Sequence, residues 1–279
     1  DRHLTFVTAD IIFRTIASVR LTHAVADEVV AAFVRFQAAT PRAALARMFR
    51  LPRWLTPGER RRRADASAIR AAIAALVRPR FDAARAAPGA QPDADILDSL
   101  LAARDRASGE PFGFDEIVDQ VCMLFLAGHE TSASALGWAL YLLAIHPGIQ
   151  SAAHAEVVAA FAAEPPGPAR LKRLGGVRDV FREALRLYPP VGFLPRECAH
   201  ATTMRDKTLA PGAAVMVSPW LIHRHADYWE RPHEFDPGRF AHGGARIPLR
   251  AAYLPFGAGP RICVGAALAT QEAVLVLAA

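Results

Sequence analysis

The spacing of apolar residues predicts a mostly helical protein. From Leu4 to Ile16 they return at the interval of an amphipathic helix, which predicts a core helix, and a second helix is expected from about Thr22 to Ala38. Pro41 and the run Leu51–Gly58 punctuate the connection that follows. Glu59 to Ala87 then reads as one long helix, its apolar stripe formed by Ile69, Ile73, Leu76 and Val77. A loop over Pro88–Pro92 leads to a short helix begun by Asp95–Leu101, and turn residues Gly109–Gly113 close it. The longest apolar segment runs from Asp115 to about His146 and ends at Pro147. Helices are expected at Ala152–Ala163 and Leu174–Leu187, parted by the loop Pro165–Pro168. Leu209–Val217 reads as a hairpin turning at Ala210–Ala213, and Ala266–Ala279 as a last helix. The expected class is mainly α with small β-sheets.

The stretch Val121–Ile145 is long enough to be mistaken for a membrane span. Its centre, however, carries Gly128-His129-Glu130-Thr131-Ser132, and its flanks lack basic anchors. A charge at a bilayer centre costs about 2.5–3.5 kcal/mol, so a helix buried in a soluble protein is the better reading and no transmembrane segment is expected. The bulk numbers agree: 279 residues, 52% hydrophobic and 22% charged, are enough for a large core. Cys122, Cys198 and Cys263 form neither a disulfide framework nor a paired zinc site, which points to a reducing cytoplasm. No signal peptide is visible, and a start at Asp1 rather than Met suggests a processed chain or a fragment. The net charge of +6 favours an acidic partner surface or nucleic acid, and Arg60–Arg63 would sharpen the second. No aromatic residues interleave those arginines, and they sit on the first turns of an amphipathic helix. A solvated helical face, with no nucleic-acid partner, is therefore expected.

Chemistry concentrates in Phe256-Gly257-Ala258-Gly259-Pro260-Arg261-Ile262-Cys263-Val264-Gly265. Gly257 and Gly259 permit turns that a Cβ resists. Cys263 lies just before a helix, whose N-terminus favours a thiolate. Gly265 would let the backbone pass close to a flat cofactor, and Arg261 could pair with a carboxylate on it. A lone cysteine is more often a buried structural residue, but that reading leaves the surrounding pattern unexplained.

The pattern F-x-x-G-x-R-x-C-x-G resembles the heme-binding loop of the cytochrome P450 (heme-thiolate) family, matched at Phe256, Gly259, Arg261, Cys263 and Gly265. The resemblance implies heme b as cofactor, with Cys263 as the axial thiolate ligand of its iron. Phe256, Gly257 and Gly265 would shape the loop against it. Ala127-Gly128-His129-Glu130-Thr131 resembles the family's A-G-x-[D/E]-T in a long central helix. Gly128 would remove bulk above the heme, Thr131 would disturb the helical ladder and open a slot for water, and Glu130 would feed protons inward. His129 is assigned no chemistry.

Glu183-Ala184-Leu185-Arg186 resembles the family's E-x-x-R pair, closed by Arg239 in Phe235-Asp236-Pro237-Gly238-Arg239-Phe240 as a structural brace. Alone, the first pair would be only a surface ion pair worth about 0.2–0.5 kcal/mol. Arg196 matches a frequent propionate partner that would act with Arg261, and Phe193 and Leu194 would face the substrate. His223-Arg224-His225 departs from the family's H-R-D at His225, and Gly238 replaces a common Glu. These histidines lack the spacing of a zinc site, and no metal is expected there.

The resemblance covers about residue 4 to the end, in order. It implies an incomplete P450 fold over 1–279, running from about the E helix to the helix after the cysteine loop. The N-terminal part and the final β-hairpins would be missing. It further implies a monooxygenase that inserts one oxygen atom from O2 into a hydrophobic small molecule. No flavin or nicotinamide fingerprint is visible, so electrons are expected from a separate ferredoxin- or flavodoxin-type donor with its reductase. Two alternatives stay open: a truncated non-catalytic remnant, and a peroxygenase or isomerase of the same fold.

Overall fold

A computed structural model describes residues 2–20, 29, 31–40, 58–86, 95–162, 167–242 and 244–279. The helices are α1 (Arg2–Ala17), α2 (31–40), α3 (Glu59–Ala86), α4 (Ile96–Ala102), α5 (Phe114–Ile145), α6 (Pro147–Phe161), α7 (Pro168–Leu171) and α8 (Gly175–Leu187). Short strands β1 (Leu194–Glu197), β2 (Thr202–Met204), β3 (Lys207–Leu209) and β4 (Ala214–Val217) follow. Then come the one-turn helices α9 (Pro219–Ile222), α10 (Arg239–His242) and α11 (Leu249–Ala252), a 3₁₀ turn at Gly259–Arg261, and α12 (Ala266–Ala278). The molecule is mainly helical with small antiparallel sheets. Among the described residues no single helix is long and apolar enough to cross a membrane. The N-terminal part of the expected Thr22–Ala38 helix and the Leu51–Pro57, Pro88–Pro92 and Pro165–Pro166 turns lie outside the described residues.

The chain divides within α5 into two compact units, Arg2–Glu130 and Thr131–Ala279. In the first, Ile12, Phe13 and Ile16 of α1, Phe33 of α2, Ile69, Ile73 and Val77 of α3 and Ile117, Val121 and Phe125 of α5 are buried. Phe125 packs on Phe13 and Phe33 at ring-centroid distances of 4.8 and 6.0 Å. The polar faces are tied down too. Arg80 of α3 bonds both Asp95, at 2.6 Å, and Asp98, while Asp95 accepts the Asp98 amide at 3.0 Å and so caps α4. Arg62 and Arg63 of the arginine run bind Glu59 at 2.9 and 3.1 Å, and the Arg62 hydrogen bond leads in holding that carboxyl at about 2.

In the second unit α8 is buried along one face by Val177, Val180, Phe181, Ala184, Leu185 and Leu187. Val180, Ala184 and Leu187 pack with Ala139, Leu142 and Leu143 of α5, and Val177 packs with Ala160 of α6 and Val274 of α12. Two features differ from the sequence expectation. Pro147 begins α6 rather than leaving a gap before Ala152, because proline at the first helical position gives up only an amide with no intrahelical partner. The Leu209–Val217 hairpin does not form. β3 pairs with β2 across a tight turn at Arg205-Asp206, where Arg205 takes φ 55°, and β4 pairs with β1 in the register Leu194↔Val217, Arg196↔Val215. The turn at Pro211-Gly212 connects strands of two different sheets, a long-range choice that local alternation cannot reveal.

Candidate functional site

The loop that carries Cys263 is closed by its own backbone. The Cys263 amide donates to the Phe256 carbonyl at 2.9 Å, the Gly257 amide to Leu254 at 3.1 Å and the Ile262 amide to Gly259 at 3.1 Å. Gly257 and Gly259 both hold φ +74°, a region that residues with a Cβ rarely enter. Gly265 differs: a Cβ there would meet only Cys263 Sγ, at 3.9 Å, so nothing among the described residues requires the glycine. α12 begins immediately afterwards. The Cys263 thiol is free and exposed, between exposed Ile262 and Val264, the latter 86% accessible. Gly257 lies 3.8 Å, measured from its built Cβ, from Leu194 of β1. Strand alternation puts Arg196 on the same face of β1 as Leu194. Arg196 is exposed and donates to the adjacent Pro195 carbonyl, and Arg261 is exposed on the 3₁₀ turn. Neither belongs to an ion pair among the described residues.

Behind the loop sits a buried charge network. Glu183, Arg186 and Arg239 are 0, 0 and 4% exposed, and the structure brings all three together. Arg186 donates to both Glu183 oxygens at 2.8 Å, and Arg239 Nε adds a third bond to Oε1 at 2.8 Å. Further guanidinium hydrogens go to carbonyls: Arg186 to His223, Pro232 and Glu234, Arg239 to Glu230, Arg231 and Glu234. Both guanidiniums also stand over the buried Trp229 ring, at 5.2 and 5.9 Å.

Sequence reasoning missed His223, which links this network to the loop. Its Nδ1 contacts the Arg186 carbonyl at 3.2 Å, and its Nε2 accepts the Leu254 amide at 2.7 Å. A ring that accepts at Nε2 and donates at Nδ1 is neutral, and burial first of all lowers its pKa to about 4. Its partners lie far away in sequence, so the local His223-Arg224-His225 match does not name them.

The central-helix motif lies within α5. α5 is helical from Phe114 to Ile145, through Thr131. The space freed by Gly128 is taken within its own unit: a Cβ would come within 2.6 Å of Ile12 Cδ1, so the glycine serves the close approach of α1 to α5. The Thr8 hydroxyl of α1 lies 2.9 Å from the His129 carbonyl. His129 stacks on Phe125 at 5.0 Å, and burial lowers its pKa to about 4. Glu130 is exposed, yet partial desolvation raises its pKa, and Thr131 is half-buried.

A second missed residue is Glu272, 3% exposed on α12. Its Oε2 accepts the Ser132 hydroxyl at 3.1 Å, and its Oε1 has no partner among the described residues. Burial pushes its pKa up to about 7, against the lowering effect of Ser132. The legible signal was its place as the one charged residue in the run Ala266–Ala278.

A heme requires an accessible thiolate, a backbone it can approach closely and cations for its carboxylates. The exposed Cys263, the sterically free position at Gly265 and the uncommitted Arg196 and Arg261 fit that group.

A cytochrome P450 family model matches residues 1–279. Cyclooctatin synthase of Streptomyces melanosporofaciens is 42% identical over 185 residues, 66% of this chain and 40% of that protein. Cyclooctat-9-en-7-ol 5-monooxygenase of the same organism is 33% identical, over 80% of this chain and 47% of that one. Pentalenene oxygenase of Streptomyces avermitilis is 35% identical, over 66% of this chain and 41% of its own length. The chain thus spans less than half the length of these curated relatives. The crystal structure of the cytochrome P450DA heme domain is similar at a TM-score of 0.80 and 27% identity, over 99% of this chain and 59% of that one.

Proposed function

Since the chain belongs to the cytochrome P450 family, we propose that it carries the thiolate-ligand side of a monooxygenase that inserts one oxygen atom from O2 into an apolar small molecule. The exposed thiol of Cys263, on a loop closed by its own hydrogen bonds, is the observation that carries this reading. When bound, the heme supplies the activation of oxygen. The residues supply the rest. Cys263 Sγ would ligate the iron as its thiolate. Gly265 allows a flat ring system close to the backbone, and Phe256 and Gly257 shape the loop. Arg261 and Arg196 would each hold a carboxylate by charge-assisted hydrogen bonds. Glu183, Arg186 and Arg239, through His223 and Leu254, hold the base of the loop.

Glu130 takes up a proton from solvent, which its raised pKa favours, and the Thr131 hydroxyl would donate its own proton inward and be reprotonated from solvent. A heme b cofactor accounts for a single thiolate with two separate cationic positions. The electron donor is a separate ferredoxin- or flavodoxin-type protein with its reductase, an acidic partner for a chain of net charge +6. The names of the Streptomyces relatives support a terpene or terpenoid alcohol as substrate.

The test uses the full-length protein with a ferredoxin, its reductase and a terpene hydrocarbon under labelled O2. One labelled atom per product molecule is expected, and Thr131→Ala should lower product formation by about a hundredfold. Product oxygen that derives from water, or full turnover by Thr131→Ala, contradicts the proposal.

A further inference from the structure

The loop that carries Cys263 is bonded almost wholly to itself. Among the described residues, the stretch Leu254–Gly265 makes a single hydrogen bond to a side chain, from the Leu254 amide to His223 Nε2 at 2.7 Å. That bond feeds directly into the loop. The Leu254 carbonyl accepts the Gly257 amide at 3.1 Å, and the nearby Phe256 carbonyl accepts the Cys263 amide at 2.9 Å. Ile262, Cys263 and Val264 are exposed, so packing does little to hold the outer arm.

His223 is itself fixed on three sides. It is fully buried, its ring stacks on Tyr253 at 5.4 Å, and the Tyr253 hydroxyl donates to the Arg182 carbonyl of α8 at 3.0 Å. Its Nδ1 lies 3.2 Å from the Arg186 carbonyl, the longer of its two bonds. An amide only donates and a carbonyl only accepts, so Nδ1 carries the proton and Nε2 presents its lone pair. The ionic brace does not run through this ring. Glu183 binds Arg186 and Arg239 directly, and Arg186 uses the main-chain carbonyl of His223. Losing the imidazole would therefore leave the brace in place and withdraw the acceptor from the Leu254 amide.

Resting on the reading of Cys263 as the heme ligand, we propose that His223 is a positioning residue for that ligand, acting through the Nε2 lone pair. Two substitutions in the full-length heme-loaded protein separate its two halves. His223→Gln keeps an acceptor oxygen near the place of Nε2, and His223→Asn keeps a donor near Nδ1 with nothing at Nε2. In the reduced carbon-monoxide spectrum, wild type and His223→Gln should show the thiolate-type band. In His223→Asn at least about half of the absorbance should move to the shorter-wavelength band of a heme without a thiolate ligand. Hydrogen exchange at the Leu254, Gly257 and Cys263 amides should quicken at least about tenfold in His223→Asn and stay near wild type in His223→Gln. A merely structural histidine would lower the denaturation midpoint in both variants and leave the band in place.

Because a change at a buried site can prevent folding, a second measurement needs no substitution. In wild type the Leu254 amide, tied to the imidazole, should exchange at least about tenfold more slowly than the Ile262 amide, which is bonded within the loop to Gly259. Equal exchange at Leu254 and Ile262, a thiolate band kept in full by His223→Asn, or a loss in His223→Gln as large as in His223→Asn each overturns the proposal. A wild type without the thiolate band overturns the ligand reading itself, whereas a band kept by His223→Asn overturns only the role of His223.

Discussion

The Glu183 network and the Cys263 loop lie in the same unit and treat their polar groups in opposite ways. In the network, two arginines and a carboxylate are buried, and each guanidinium finds its partners inside the chain. On the loop and the neighbouring strand β1, the Cys263 thiol and the two arginines Arg261 and Arg196 stand exposed without an ion-pair partner among the described residues. Buried charge must be satisfied when the chain folds, because desolvation without partners is prohibitive. Groups kept for an external ligand can remain uncommitted, since water solvates them until the ligand arrives. The first region should therefore govern stability, and the polar groups of the second should govern only ligand binding.

The largest effect should come from the network. Glu183→Ala leaves two buried guanidiniums facing each other and should cost roughly 3–5 kcal/mol, read from the denaturation midpoint. A loss below about 1 kcal/mol would place Glu183 on the same footing as an exposed ion pair. Glu272 sharpens the rule, being buried with one oxygen unpartnered. Its folded pKa of about 7 stands above the ordinary value of 4.5, so the native state binds the extra proton between those values. Its contribution is complete below about pH 4.5 and is lost as pH rises toward 7, a decline of roughly 3 kcal/mol. Glu272→Gln, uncharged throughout, should remove that slope from the difference in stability against pH, and a parallel curve would refute it.

Smaller effects follow on the loop. Gly257→Ala forces a Cβ into φ +74° and should cost about 1–2 kcal/mol by the same denaturation measurement. Smallest of all, Cys263→Ser and Arg261→Gln should change the stability of the heme-free protein by no more than about 0.5 kcal/mol. Either change should nevertheless weaken heme retention measured by titration. A large loss of apo stability from Cys263→Ser would dissolve the contrast between the two regions.

Much of this arrangement could be read from local pattern. The stripe Ile69, Ile73 and Val77 marks α3, and Gly257 and Gly259 sit where positive φ requires them. What escaped depends on distant packing. β4 takes β1 as its partner rather than β3, Gly128 makes room for Ile12, and His223 gains its meaning from Leu254 and Arg186. A side chain whose role lies in contacts far along the chain leaves no periodic trace. Glu272 is intermediate, a single charge in an apolar helix that announces a buried partner without naming Ser132.

The central claim is that Cys263 is the thiolate ligand of a bound heme, and the reduced carbon-monoxide difference spectrum of the full-length protein tests it most directly. The account predicts the red-shifted Soret band of a thiolate-ligated heme in wild type and its disappearance in Cys263→Ala, with the fold preserved. Absence of that band in wild type, or its survival in Cys263→Ala, would contradict the account.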